Sequence, residues 1–229
     1  MNMKQESQTL RQVYDAALTC SACALAQCRS RVVFGSGNPQ AKILIVVDSP
    51  TEAEDRVGHF NTADVRWLLR LYAQTNKLTQ PMGAIAEKFF AEAFITPAVM
   101  CRPSILVGDK AGDARDPKWS EIKACRDRLV QQIYHIDPHI IVGCGKFALS
   151  ALCGVATPPS VRTGKLGDLL TISVPGECGP VQYSVIPAPD PQVARRRGDY
   201  DDPNGVVASL GAALASAWAV RDALEQEDK

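Results

Sequence analysis

The chain has no excess charge of either sign: Lys+Arg 25 stands against Asp+Glu 25 over 229 residues, a net charge of +0. A uniformly basic coat for nucleic acid and an acidic disordered tail are both excluded, while a local basic patch is not. Eight cysteines are too few to staple a chain of this length as a disulfide scaffold. The start, MNMKQESQTL, lacks a basic segment followed by an apolar core. No repeat, low-complexity tract or heptad run appears. Long apolar runs are also missing, since Ile140 to Val155 is interrupted by Lys146 and Val206 to Val220 is rich in Ala, Ser and Gly. Neither reads as a clean membrane span. The expectation is a cytoplasmic monomer with no membrane partner, its thiols reduced or on a metal, folded as one domain over residues 1–229.

What is present is α/β patterning. With 46% hydrophobic and 22% charged residues the chain can close one substantial core. Leu10, Val13, Tyr14 and Leu18 predict a helix over about 8–20 that runs into a cysteine-bearing turn. Lys42 to Val47 (KILIVV) predicts a buried parallel strand stopped by Asp48-Ser49-Pro50. Helical period marks 64–73 and 119–135, and a strand-like run containing Pro97 covers 94–100. Residues 139–142 predict a further strand, after which Gly143-Cys144-Gly145 opens a helix through Leu152. A last strand is expected at 183–186, a proline-studded loop at 187–191 and a closing helix at 205–224. Strands alternating with helices imply an open, doubly wound sheet, whose ligands bind beyond the carboxyl ends of the strands.

Cys20 and Cys23 form C-x2-C, which lets two thiolates meet one metal centre from a single turn. Cys101 and Cys125 flank the middle loop, and an α/β chain can fold them onto that pair. Zinc and an iron-sulfur cluster both accept four cysteines, and spacing does not choose between them. Cys28 is open between a replacement ligand and a surface turn, whereas Cys144, Cys153 and Cys178 read as small buried hydrophobes.

The run CSACALAQCRSRVVFGSGNPQAKILIVVDSPTEAED, then CRPS, RDPKWSEIKAC and DPHIIVGCGKFAL, resembles the iron-sulfur uracil-DNA glycosylases usually called family 4. The likeness extends in order from about Cys20 to Arg196. It implies a three-layer αβα sandwich with a short central parallel sheet, a [4Fe–4S] cluster on Cys20, Cys23, Cys101 and Cys125, and base excision from DNA. The segment between Cys101 and Cys125 is several residues longer than is usual for the family.

Three departures bear on the substrate. The family's Gly-Glu-Ala-Pro-Gly loop is here Val47-Asp48-Ser49-Pro50-Thr51, so Asp48 keeps a carboxylate one methylene shorter, with Ser49 beside it on the substrate side. A carboxylate near the anomeric carbon can stabilise an oxocarbenium-like sugar and orient water. An Asp before Ser-Pro can equally do no more than cap a turn. The family's uracil-reading asparagine is replaced by Pro97, which offers neither a side-chain amide nor a backbone donor. Phe60 matches the aromatic on which a flipped base stacks, core packing being the other reading. The family's His-Pro loop is here Asp190-Pro191. An ionised Asp190 repels a departing anion, but it can accept from an exocyclic amine or, if burial raises its pKa, act as a general acid. Arg195, Arg196 and Arg197 form the one concentrated basic run, suited to DNA phosphates or to a plain solvated face.

These features predict a DNA glycosylase with a pocket rebuilt for a modified or non-uracil base. Superfamily relatives that attack phage DNA carrying bulky modified cytosines suggest an antiviral setting. The alternatives are a non-catalytic DNA-binding module of the same fold and ordinary uracil excision repair.

Overall fold

The computed structural model describes residues 9–60, 63–107, 110–157, 169–177 and 179–227; Cys178 lies outside them. Its centre is a six-stranded sheet in the order β1-β3-β2-β6-β8-β7. The four inner strands, β2 (Ile43–Val47), β3 (Ala93–Pro97), β6 (Ile140–Cys144) and β8 (Gly179–Ala188), run parallel. β1 (Ser36–Gly37) and β7 (Leu170–Gly176) close the two edges antiparallel. Every residue of β2, β3 and β6 is buried, because helices cover both faces. That is why these strands read as unbroken apolar runs instead of alternating ones. Pro97 is tolerated at the end of β3: it pairs in register with Val47, and the ladder continues through Ala98 N–H to the Val47 carbonyl at 2.7 Å.

One face carries α3 (Ala63–Thr75), α4 (Met82–Glu92) and α8 (Val206–Glu227). Tyr72, Phe89 and Trp218 meet there with ring centroids 4.6–5.6 Å apart. The Glu92 carboxylate accepts from Trp218 Nε1 at 2.6 Å and lies 3.5 Å from Arg221, binding α8 to α4. The other face carries α1 (Leu10–Leu18), α5 (Trp119–Ile136) and α6 (Lys146–Cys153) over Leu44, Val46, Ile141 and Val185. The three-layer αβα arrangement is the one expected. Two short helices, α2 (Glu52–Val57) and α7 (Pro191–Arg197), stand at the carboxyl end of the sheet, and a separate antiparallel ribbon is made by β4 (Ser104–Val107) and β5 (Lys110–Ala114).

Two elements differ from expectation. The closing helix runs to Glu227, past its expected end at 224, and Val206–Gln226 within it is long and apolar enough to cross a membrane by length and composition. In this fold its Val207, Leu210, Leu214 and Trp218 are buried in the core. The proline-studded loop ends sooner than expected, because Asp190 caps α7, with Pro191 in its first turn and Val193 N–H donating to the Asp190 carboxylate at 2.9 Å.

Candidate active site

β2 delivers Asp48 to the carboxyl end of the sheet, and the chain is pinned immediately afterwards. Thr51 caps α2, its hydroxyl accepting from Glu54 N–H at 3.3 Å while the Glu54 carboxylate takes Thr51 N–H at 2.9 Å. The Asp48 side chain turns toward the start of α6 and accepts Ala148 N–H at 2.7 Å. It thereby satisfies a donor that the helix itself leaves free, at the end where the helix dipole favours negative charge. Gly145 makes room for this: at φ +105° an added Cβ would lie 2.5 Å from the carboxylate atoms. Despite the hydrogen bond, burial pushes the Asp48 carboxyl up to about 8, with the nearby Asp190 carboxylate adding to the rise.

Asp48, Ser49 and Asp190 line a groove of about 1000 Å³. Its lining includes Arg102, Pro103, Ala114, Arg115 and Asp116 from the chain in and around β4–β5, and Gln192, Val193, Arg196 and Arg197 from α7. The three arginines of the basic run are exposed and stand on α7, a helix where a loop was expected. Arg196 and Arg197 reach the groove and Arg195 does not line it. Beside the groove, an apolar recess is lined by Val47, Ser49, Phe60, Ile95, Asp190 and Gln192. Ser49 and Asp190 thus border both spaces. Phe60 is buried in the core cluster on the α3 side, which is the core-packing reading of it, and it borders this recess of about 20 Å³. Pro97 lines neither space, although its strand neighbour Val47 lines the recess.

The four cysteines singled out in sequence come together. Cys20, Cys23, Cys101 and Cys125 line one small cavity with Arg29, Met100 and Arg128. Met100 N–H donates to Cys125 Sγ at 3.5 Å and Arg29 Nη1 to Cys101 Sγ at 3.4 Å. Burial raises both thiols, Cys125 to about 12, with neighbouring cysteines adding to the rise. Among the described residues no three His, Cys, Asp or Glu side chains converge closely enough for a single ion. Four cysteines lining one cavity are a donor set that an iron-sulfur cluster and zinc both accept. Cys28 is buried, not on a surface turn; its thiol donates to the Ala24 carbonyl at 3.9 Å, and it lines a different cavity from the other four. Cys144 is fully buried as expected, while Cys153 is only half-buried.

Sequence reasoning missed Arg102 and Arg115. Arg115 forks onto the buried Glu121 at 2.8 and 2.5 Å, and Arg102 donates to the Gly112 carbonyl at 3.2 Å. Their proximity to the groove follows from the β4–β5 ribbon, which no periodicity announced.

Against known proteins, the sequence model described as Uracil DNA glycosylase superfamily matches residues 34–207. The chain is 33% identical over 140 residues to a Type-4 uracil-DNA glycosylase of Saccharolobus solfataricus, covering 61% of this chain and 57% of that protein. It is 28% identical over 141 residues to the Type-4 uracil-DNA glycosylase of Archaeoglobus fulgidus, 62% of each chain. To that of Thermotoga maritima it is 33% identical over 131 residues, 57% of this chain and 59% of the relative. The chain spans less than two thirds of the length of each of these relatives.

Proposed function

The chain belongs to the uracil-DNA glycosylase superfamily, and from that premise we propose that it is a DNA glycosylase acting on a modified or non-uracil base flipped out of DNA. The observation that carries this reading is the Asp48 carboxylate, held by Ala148 N–H in a groove that Arg102, Arg115, Arg196 and Arg197 also line. In cleavage of the N-glycosidic bond, positive charge develops on the sugar. An ionised Asp48 lowers the energy of that state and orients the water that attacks the anomeric carbon. Asp190, across the same groove, accepts from an exocyclic amine of the base or passes a proton to it. Phe60 and Ser49 border the small apolar recess beside it, and the groove of about 1000 Å³, not that recess of about 20 Å³, has room for a flipped base. Pro97 offers no amide to read uracil.

Cys20, Cys23, Cys101 and Cys125 are the residues that would hold a [4Fe–4S] cluster, joining the turn after α1, the segment after β3 and α5. Bound there, such a group supplies a rigid cross-link on the face remote from α8. Free thiols and a cluster of this kind suit a reducing cytoplasm, and a monomer accords with the absence of heptads. Excision of bulky modified cytosines from phage DNA, as a defence, is the setting we propose for a groove of about 1000 Å³. The names of the relatives favour a second reading, uracil excision.

The test is a panel of DNAs containing uracil, hypoxanthine, hydroxymethylcytosine or glucosylated hydroxymethylcytosine, scored for alkali-labile abasic sites. Cleavage confined to a non-uracil base is the expected result. Release of uracil from a U:G duplex at the rates of the relatives would replace that reading with uracil repair, and duplex binding without any abasic sites would make the protein a non-catalytic binding module.

The basic run gives its own prediction. Replacing Arg196 and Arg197 by Ala weakens DNA binding equally for every base in the panel and flattens the log–log salt dependence by about one unit for each phosphate no longer neutralised. A salt titration of binding checks this; an unchanged slope assigns both side chains to solvent.

A further inference from the structure

Two arginines from the chain around β4 and β5 line the groove, and only one of them is neutralised. Arg115 forks onto the Glu121 carboxylate and also donates to the Ser104 and Asp116 carbonyls at 3.1 and 2.9 Å. Arg102 has a much poorer set. Its side chain is 9% exposed, yet among the described residues its guanidinium makes one hydrogen bond, Nη2 to the Gly112 carbonyl at 3.2 Å. Nε is buried and has no acceptor. Glu52 stands 3.7 Å from Nη2, but it is 63% exposed and gives its other oxygen to Arg56 at 2.9 Å. A guanidinium carries five donors and a fixed charge. Burying it against one carbonyl and a distant, shared carboxylate is unfavourable in the free protein. Buried polar groups normally find partners, so an arginine left this short of them points to a ligand that supplies the rest.

Arg102 lies where an anion can reach it. It lines the groove that holds Asp48 and Asp190, and also a polar cavity of about 310 Å³ shared with Arg29, Glu52 and Arg56. The chain that carries it is held in place, since Arg115 N–H donates to the Pro103 carbonyl at 3.1 Å. What the guanidinium lacks is a negatively charged acceptor with two oxygens, which the planar fork of an arginine matches in bidentate fashion. A phosphodiester is such a group. We propose that Arg102 is a phosphate-binding residue, taking one phosphodiester of the strand that carries the target nucleotide and so fixing the register of that nucleotide against Asp48. Its part differs from that of Arg196 and Arg197. Those two are exposed and act through charge on any phosphate within reach, whereas a buried guanidinium on a braced segment selects one position. This inference rests on the glycosylase reading and adds to it the contact that sets the register.

The experiment measures binding to a duplex that carries a tetrahydrofuran abasic-site analogue, with single phosphates around it replaced in turn by uncharged methylphosphonate. Wild type is expected to lose about tenfold in affinity at one position and much less at its neighbours. In Arg102→Gln that position becomes no more sensitive than the others. In Arg102→Lys, which keeps the charge and loses the fork, the loss is intermediate. A thermal melt of the free proteins tests the structural alternative. Removing a poorly paired buried cation is expected to leave Arg102→Gln melting level with or above wild type. If it melts lower, Arg102→Lys carries the comparison of profiles. A sensitive position retained in the variants, or none in wild type, overturns the proposal and leaves Arg102 as a brace of the β4–β5 ribbon through Gly112. Binding needs no turnover, so the two readings fail separately. A sensitive position that depends on Arg102, without base release from any panel DNA, keeps the phosphate site and defeats the glycosylase, whereas base release with one profile for all three proteins does the reverse.

Discussion

Replacing Asp48 by Asn is expected to reduce base excision by roughly 100-fold to 10,000-fold while leaving DNA affinity close to that of wild type. The amide still accepts Ala148 N–H, so the loop after β2 keeps its shape, but no negative charge faces the developing cation. The pH profile then separates the two roles a carboxyl can play. With Asp48 raised to about 8 by burial and by Asp190, a role in the ionised form makes log(kcat/KM) rise with pH up to about 8 and level off above it. A role as proton donor gives the opposite limb, a fall above 8. We expect the rising limb, and a falling one would reassign Asp48 as the general acid. Stability moves the other way. A carboxyl whose pKa is higher in the folded than in the unfolded chain binds more protons when folded, so stability declines as pH climbs from the unfolded value near 3.8 toward 8. The Asn variant escapes this loss: it melts roughly 2–8 °C above wild type at pH 9 and level with it at pH 4. Higher stability with lower activity is the mark of a strained catalytic group; a variant less stable than wild type at pH 9 would make Asp48 a helix cap and nothing more.

The buried parallel strands are legible in the sequence because a strand covered on both faces writes a continuous apolar run, as at Ile43–Val47 and Ile140–Cys144. The amphipathic helices α3 and α5 are legible through their period. Less visible are α4, which reads as a mixed apolar run after Pro81, and α7, whose Asp-Pro start reads as a loop although it is also a helix-start signal. The β4–β5 ribbon escapes entirely, since its apolar residues answer to no core in this chain. In the site, Asp48 and the four cysteines can be named from motif likeness. What cannot be read is the cradle around them: that Gly145 must lack a side chain for Asp48 to reach α6, and that burial lifts the carboxyl to about 8. Both depend on segments far apart in sequence that the sheet brings together at its carboxyl end.

The same dependence on distant segments makes the cysteine cavity the most sensitive point for stability. Cys20 and Cys23 follow α1, Cys101 follows β3 and Cys125 sits in α5, so a bound cluster closes loops across the whole N-terminal half. Burial raises the Cys101 and Cys125 thiols, so thiolates there call for a cation, and Met100 N–H donates to Cys125 Sγ at 3.5 Å. Metal binding to preorganised thiolates is folding free energy. Cys125→Ser, in protein assembled with iron and sulfide, is therefore expected to lose the visible iron-sulfur absorption and to melt roughly 10 °C or more below wild type. Cys28→Ser is the matched control. Its thiol lies outside the cavity on the Ala24 carbonyl, so that variant keeps both the chromophore and the melting temperature. Iron and sulfide analysis together with absorption and calorimetry check the pair. Stoichiometric zinc without a chromophore in the wild-type protein would replace the cluster with a single-ion site, and an unchanged melting temperature in Cys125→Ser would remove any metal from the support of the fold. The outcome also bears on Asp48. The face of the sheet braced by these cysteines carries α6, whose first turn supplies the N–H that holds the carboxylate. A loosened cavity should therefore lower excision through a rise in KM and a broadened pH profile, without abolishing turnover as Asp48→Asn does.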